Sequence, residues 1–375
     1  MKHYIRIDKK EKPSLSLVLG SGFSKDAGLL TTADIPSKFL MTPSESVLPS
    51  TLEEEISDIL KTFWKKVFGY ENGGVTPSLE DHFTLLDLAA NSGHHLGRYY
   101  NPKKLRAIRR MSIHRIFQIL SVGNKKIDEM HSMFDKLDSK FKLSIVTLNW
   151  DLVVERHLRR IELPFYYPIE SFTLGDASGT PWKHHGIPVM KMHGSMNWIY
   201  CDSCRRIYTG KTVISALNKK TFLEKDDFRL FGIEDTVEDL FDSIREERKC
   251  SHCGTMLAGR VATFSYRKAF SIAQFQAIWE RANAYMRAAD NWLIIGYSMP
   301  QADFEFLHLL KSAQLARKYP KRLHIEVVIG GRIETVNRYK GYMGLTDDQI
   351  KRGGLKKWIG DSLDLFIRKH GAQRG

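Results

Sequence analysis

All four cysteines of the sequence fall into two pairs of one spacing, Cys201-Asp-Ser-Cys204 and Cys250-Ser-His-Cys253, with none left over. Two such hairpins can set four thiolates at the corners of a tetrahedron, which is the geometry of structural zinc. Disulfides are the competing reading of paired cysteines, but they persist in oxidising compartments. The N-terminal MKHYIRIDKKEK is too polar for a secretion signal, so the expected compartment is the cytoplasm. Closed four-cysteine coordination leaves no open position for catalysis, and the expected Zn2+ is structural. His252, inside the second pair, is expected to tune the knuckle rather than to ligate. The long stretch between the pairs implies an insertion that holds an acidic helical run, Thr236 to Arg248.

A second group of residues is the loop Gly20-Ser21-Gly22-Phe23-Ser24, which follows the apolar run Leu15 to Leu19. It reads either as a nucleotide cradle or as a tight turn between a strand and a helix, with Ser24 able to cap a helix from Lys25. The next glycine is Gly28, so the usual dinucleotide spacing is not met.

The elements that must carry these residues alternate. Short apolar strands are expected at Leu15–Leu19, Leu143–Leu148, Val189–Met192, Trp292–Ile295 and His324–Ile329. Helical periodicity falls at Ser78–Asn91, Lys103–Val122, Lys126–Leu137, Leu152–Arg160, Ile272–Ala289 and Phe304–Arg317. That order predicts an α/β fold, a doubly wound parallel sheet whose ligands bind beyond the carboxyl ends of the strands. Gly20-Ser21-Gly22, Asn149-Trp150-Asp151, His193-Gly194-Ser195 and Gly296-Tyr297-Ser298 each follow a strand and would converge on one crevice. Asp151 also suits the cap of the helix after it, Ser298 and Asp303 suit a turn and a cap, and His193 could be a satisfied core histidine. Trp150, Trp182 and Trp198 read as packing, and His184-His185 as a loop without chemistry.

With 375 residues and 42% hydrophobic content, the chain can bury one large core or two smaller ones. No apolar run reaches the length of a membrane span. The net charge of +14 gathers in clusters: Lys103, Lys104, Arg106, Arg109 and Arg110; Arg317, Lys318, Lys321 and Arg322; Lys351, Arg352, Lys356 and Lys357. Each fits a solvated helix face as well as a nucleic-acid or anion contact.

Taken together and in order, these motifs resemble the sirtuin family. Gly20-Ser21-Gly22-Phe23-Ser24 with Gly28 is similar to its glycine-alanine-glycine loop, and Thr147-Leu148-Asn149-Trp150-Asp151 to its threonine-glutamine-asparagine-x-aspartate motif. His193-Gly194 resembles the catalytic histidine-glycine pair, the cysteine hairpins follow it as in sirtuins, and Gly296-Tyr297-Ser298 matches the glycine-threonine-serine turn. The chain departs from the deacetylases after Gly28, which leads into Leu-Leu-Thr-Thr-Ala-Asp-Ile-Pro, and after Ile329, where Gly330-Gly331-Arg332 replaces an asparagine-bearing turn. No clear peptide-pairing strand is legible at Ala258 to Phe264. Gly296-Tyr297-Ser298-Met299-Pro300 with Asp303 resembles the divergent sirtuin-like proteins of bacterial antiphage defence.

The resemblance implies NAD+ as substrate, with Gly20, Ser21, Gly22, Phe23, Ser24, Asn149, Asp151, His193, Gly296, Tyr297 and Ser298 around it. Cleaving the nicotinamide–ribose bond needs a neutral polar group for the ribose or a water, which suits Asn149, and a proton acceptor near neutrality, which suits His193. The expected activity is NAD+ hydrolysis, with protein deacylation and a nucleic-acid-binding or scaffold role as alternatives. Expected partners are further copies of the chain and a HerA-type ATPase or an Argonaute-like protein. The expected layout is a Rossmann-like core of 14–39, 141–200 and 261–335, a helical insertion at 40–140, a zinc-binding module at 201–260 and a helical C-terminal extension at 336–375.

Overall fold

A computed structural model describes residues 12–43, 46, 48–71, 73–121, 128–173, 185–201, 203–210, 223–233, 249–255, 257–258, 273–316 and 323–371. The acidic run Thr236–Arg248, Trp182, His184, the cluster from Arg317 to Arg322 and the stretch 259–264 lie outside them.

Seven parallel strands form the central sheet, in the order β11-β10-β9-β1-β2-β5-β3. They are β1 (Ser14–Leu19), β2 (Lys142–Thr147), β3 (Phe165–Tyr166), β5 (Ile187–Lys191), β9 (Asn291–Ile295), β10 (His324–Ile329) and β11 (Ile350–Arg352). The inner strands are apolar on both faces because helices cover both, and β9 is buried along its whole length. The chain runs outward from β1 through β2 to the edge strand β3, steps back to β5 between them, then crosses to the other side of β1 as β9. That reversal opens a crevice at the carboxyl ends of β1, β2 and β9. The fold is therefore α/β and doubly wound, as the alternation of elements predicts.

Observed helices α4 (Leu79–Ser92), α5 (Pro102–Ser121), α6 (Asp128–Lys140) and α7 (Val153–Arg160) follow the sequence periodicity closely. Ser78 caps α4 by accepting from Asp81 N at 3.0 Å. Three differences stand out. The loop after β1 turns helical at once, as α1 (Ser21–Lys25) with Gly20 at its N-cap, so Ser24 lies inside the helix instead of capping it. A long helix α3 (Ser50–Phe68), ended by Gly69 at φ 67°, fills the region before α4. Within the stretch expected to be a helical extension, Ile350–Arg352 adds a parallel edge strand to β10. Three residues with two charges offer no apolar run by which to read such a strand.

Two apolar cores result. One wraps the sheet; the other joins α3, α4 and α5 to Trp150, Met196 and the cysteine region through Ile199, Cys201, Tyr208 and Leu257. A small sheet, β4-β7-β6-β8, carries the cysteines, with β4 (Ser171–Thr173), β6 (Trp198–Cys201), β7 (Ile207–Thr209) and β8 (Leu257–Ala258). Among the described residues no helix is long and apolar enough to cross a membrane.

Candidate functional site

The polar turns predicted to converge do so. A cavity of about 530 Å3 is lined by Gly20, Ser21 and Gly22 after β1, Asn149 and Asp151 after β2, His193 after β5, and Gly296, Tyr297 and Ser298 after β9. Thr76, Pro77 and Ser78, which lead into α4, and its first residues Leu79 and Glu80 close another side, and Lys25 and Arg332 bring cations to it. Sequence reasoning did not assign Thr31, Thr32 or Arg332 to the site; Arg332 was visible only as a departure from a motif.

Glycine is required in this loop by contact with the neighbouring strand end. Gly20 N donates to Ile295 O at 3.0 Å and Gly22 N to Gly296 O at 2.9 Å. A Cβ on Gly22 would sit 2.7 Å from Gly296 Cα, and one on Gly20 would sit 2.7 Å from Gly296 O. The two turns are thus seated on each other, and a side chain at Gly22 would meet protein before it met any ligand. Phe23, expected beside the ligand, instead points into the core, edge-on to Phe134 at 6.1 Å, and is fully buried. Its place at the third position of α1 turns it under the sheet crossover.

Asn149 is held from two sides. Its Nδ2 donates to Gly20 O at 2.9 Å and to Ser24 Oγ at 3.0 Å, so both amide protons are engaged and Oδ1 is the remaining acceptor. Ser24 is buried and acts on the site through Asn149. Asp151 Oδ1 accepts from Val153 N at 3.0 Å, which meets the cap-like reading of this residue at a helix whose N-cap position is Leu152. Burial pushes the Asp151 carboxyl up, against the opposing pull of Lys191, Val153 N–H and Ser24. Lys191 is itself buried, donates to Asp151 O, and pairs with Glu155 at 3.3 Å. Tyr167 OH donates to Glu155 Oε1 at 3.0 Å.

His193 is almost wholly buried, with Nε2 3.6 Å from Asp303 Oδ1. Asp303 stands at the N-cap of the helix Phe304–Leu315, yet its side chain makes no capping hydrogen bond. Tyr297 is buried too, and its phenol is pushed well above its usual range by burial first and then by the charge of Asp303. Ser298 is exposed at the cavity mouth. Trp150 and Trp198 are packing residues, edge-on to Phe117 at 5.8 Å and Tyr167 at 5.0 Å.

The cysteines form a separate centre. Their four Sγ atoms lie within 4.8 Å of one another, with Cys201–Cys253 at 3.4 Å and Cys204–Cys250 at 3.6 Å. Tetrahedral Zn–S bonds of about 2.3 Å place sulfurs about 3.8 Å apart, so the set fits a zinc ion, and the spacing is far from a disulfide bond. Hydrogen bonding with Thr255 pulls the Cys253 thiol down to about 5, while burial pushes the Cys201 thiol up to about 12.

The basic clusters divide. Arg109 pairs with Asp87 at 2.6 Å and Arg110 forks onto buried Asp227, so both serve the helical core. Lys104 lies over the Tyr99 ring at 3.6 Å, joined there by Lys66 at 4.4 Å. Arg352 pairs with Asp347 at 2.9 Å.

No family model and no curated protein matches the chain. Solved structures do: a Sir2 homologue in complex with NAD, 15% identical over 97% of this chain and 92% of that one, has a TM-score of 0.42. Sir2 bound to acetylated peptide is 13% identical over 96% and 94%, with a TM-score of 0.39.

Proposed function

We propose that this chain is an NAD+ glycohydrolase that serves bacterial antiphage defence by depleting NAD+ once activated. The observation that carries the reading is the meeting of Asn149 and His193 with the loop at Gly20 in one cavity at the switch point of the sheet. The order of the motifs supports the same reading. When bound, NAD+ supplies a nicotinamide leaving group and a ribose that develops positive charge as the glycosidic bond breaks. Asn149 Oδ1, its amide protons already held by Gly20 and Ser24, is fixed as an acceptor for a ribose hydroxyl or the attacking water. Water adds to the ribose carbon as nicotinamide leaves, and His193 takes the water's proton. The turn at Gly296 and the cations Lys25 and Arg332 would hold the anionic part of the dinucleotide.

Under this reading the chain works as a homo-oligomer, with a HerA-type ATPase or an Argonaute-like partner governing release of the activity. Nicotinamide release from NAD+ by the active assembly, without any acylated peptide, tests the proposal. Release that depends strictly on acyl-lysine would replace it with a deacylase.

A further inference from the structure

Asn149 and His193 follow β2 and β5, which lie on one side of β1 in the sheet, while β9 and β10 lie on the other. With the pyrophosphate at the Gly20 loop after β1 and the nicotinamide ribose at Asn149 and His193, the adenosine half falls on the β9 and β10 side. That placement rests on the glycohydrolase reading above. In doubly wound folds a carboxylate near such a strand end takes the adenosine ribose 2′-hydroxyl, whereas an arginine there accommodates a 2′-phosphate.

The end of β10 carries the second arrangement. Ile329 runs into Gly330, Gly331 and Arg332, all in the cavity wall, with no acidic residue among them. Glu334, the next acid along the chain, is exposed and stands outside the cavity lining. A Cβ on Gly330 would meet nothing within 4 Å, so the wall beside the arginine is open. Lys25, on the helix after Gly20, serves the same region. The Asp34 carboxyl is held below its usual range by hydrogen bonding from Thr31 first and then by the charges of Lys25 and Arg332, so the three charges are neighbours. Asp34 accepts from Thr31 Oγ1 at 2.6 Å and is not part of the cavity lining. Two cations against one carboxylate leave these three groups with a net positive charge.

We infer that Arg332 selects for a phosphate on the adenosine ribose 2′-oxygen, so that the cavity takes NADP+ as well as NAD+ and binds the phosphorylated form more tightly. A guanidinium presents paired N–H groups to phosphate oxygens, a fork that an ammonium cannot copy. With NAD+, which lacks the group, Arg332 has only the pyrophosphate to act on. The bond cleaved is the same in both: NADP+ and water give nicotinamide, 2′-phospho-ADP-ribose and a proton.

Calorimetric titration of the full-length protein with adenosine 2′,5′-bisphosphate and with 5′-AMP tests this without turnover. The bisphosphate should bind about 10- to 100-fold more tightly. Arg332→Ala should erase that ratio while moving the 5′-AMP Kd by no more than about threefold, and Arg332→Lys should keep only part of it. Adenosine 3′,5′-bisphosphate controls for charge alone. If it gains as much as the 2′ isomer, or if Arg332→Ala weakens 5′-AMP and the bisphosphate equally, Arg332 does not read the 2′ position and the inference is overturned. A 2′-phosphate preference with no nicotinamide released by the active assembly from either dinucleotide would leave the inference standing and the glycohydrolase reading fallen. Release from NAD+ with no such preference would do the reverse.

Discussion

Gly22 and Gly296 pack backbone against backbone across the seam between β1 and β9, with Gly22 N donating to Gly296 O at 2.9 Å. Gly296 also sits at φ 68°, and a Cβ there would lie 2.2 Å from Phe23 N. Gly296→Ala therefore combines a left-handed side chain with a backbone clash, and should destabilise the fold by on the order of 3–5 kcal/mol. Gly22→Ala carries the clash alone and should cost less. Urea unfolding measures both, and midpoints equal to wild type would show that the seam can yield.

Zinc should be present at about one ion per chain, measured by elemental analysis of purified protein. Cys201→Ser or Cys250→Ser removes a buried ligand and should lower Tm sharply, since the same core holds α5 and the cysteine strands together. Metal-free protein that melts like the metal-loaded form would refute this.

Asn149→Ala and His193→Ala should each reduce nicotinamide release on the order of 100-fold, with the asparagine the more damaging. Asn149→Ala also strips the donor from Gly20 O and Ser24 Oγ. Asn149→Asp keeps an acceptor and the shape but turns the donors into oxygens against those same acceptors. Both variants should therefore loosen the loop, read as faster amide exchange in α1. Full activity in either would remove Asn149 from the mechanism.

Lys191 and Glu155 form a buried pair beneath the Asn149 turn, each almost fully hidden from solvent. Lys191→Met leaves the Glu155 carboxylate buried without its cation and should cost about 3–5 kcal/mol. Adding Glu155→Gln to that variant should restore more than half of the loss. A double-mutant cycle on unfolding free energy decides it: independent, additive costs would contradict the pairing.

Acid should weaken the fold through His82 and His157, which are buried, and His324, which is half-buried. Burial pulls His82 down to about 3, and His157 and His324 down to about 4, from an ordinary value of 6.5. With the folded values depressed, the unfolded chain binds protons first as pH falls. The stability these neutral rings contribute is thus complete above about pH 6.5 and is lost progressively toward pH 4. Tm should fall across that window, and His324→Phe, which keeps the stack on His370 and Phe366, should flatten the decline. An unchanged slope in that variant would assign the acid sensitivity elsewhere.

Strands, their polar turns and the cysteine spacing were legible from the chain because each is a local property: an apolar run, the residue that follows it, a hairpin of fixed length. Local pattern therefore pointed to a doubly wound parallel sheet, and with it to the convergence of Gly20, Asn149, His193 and Gly296 on one cavity. Partners far apart in sequence were not legible. A run of arginines looks the same whether it faces water or, like Arg109 and Arg110, turns inward to Asp87 and Asp227. An aspartate at a helix start looks like a cap, though Asp303 is turned toward His193. Phe23 reads as part of a ligand loop until the helix begins at Ser21 and rotates it into the core. Periodicity says which face of an element is buried; only the tertiary structure decides which charge or ring it is buried against, because that choice is made between segments whose spacing carries no signal of their meeting.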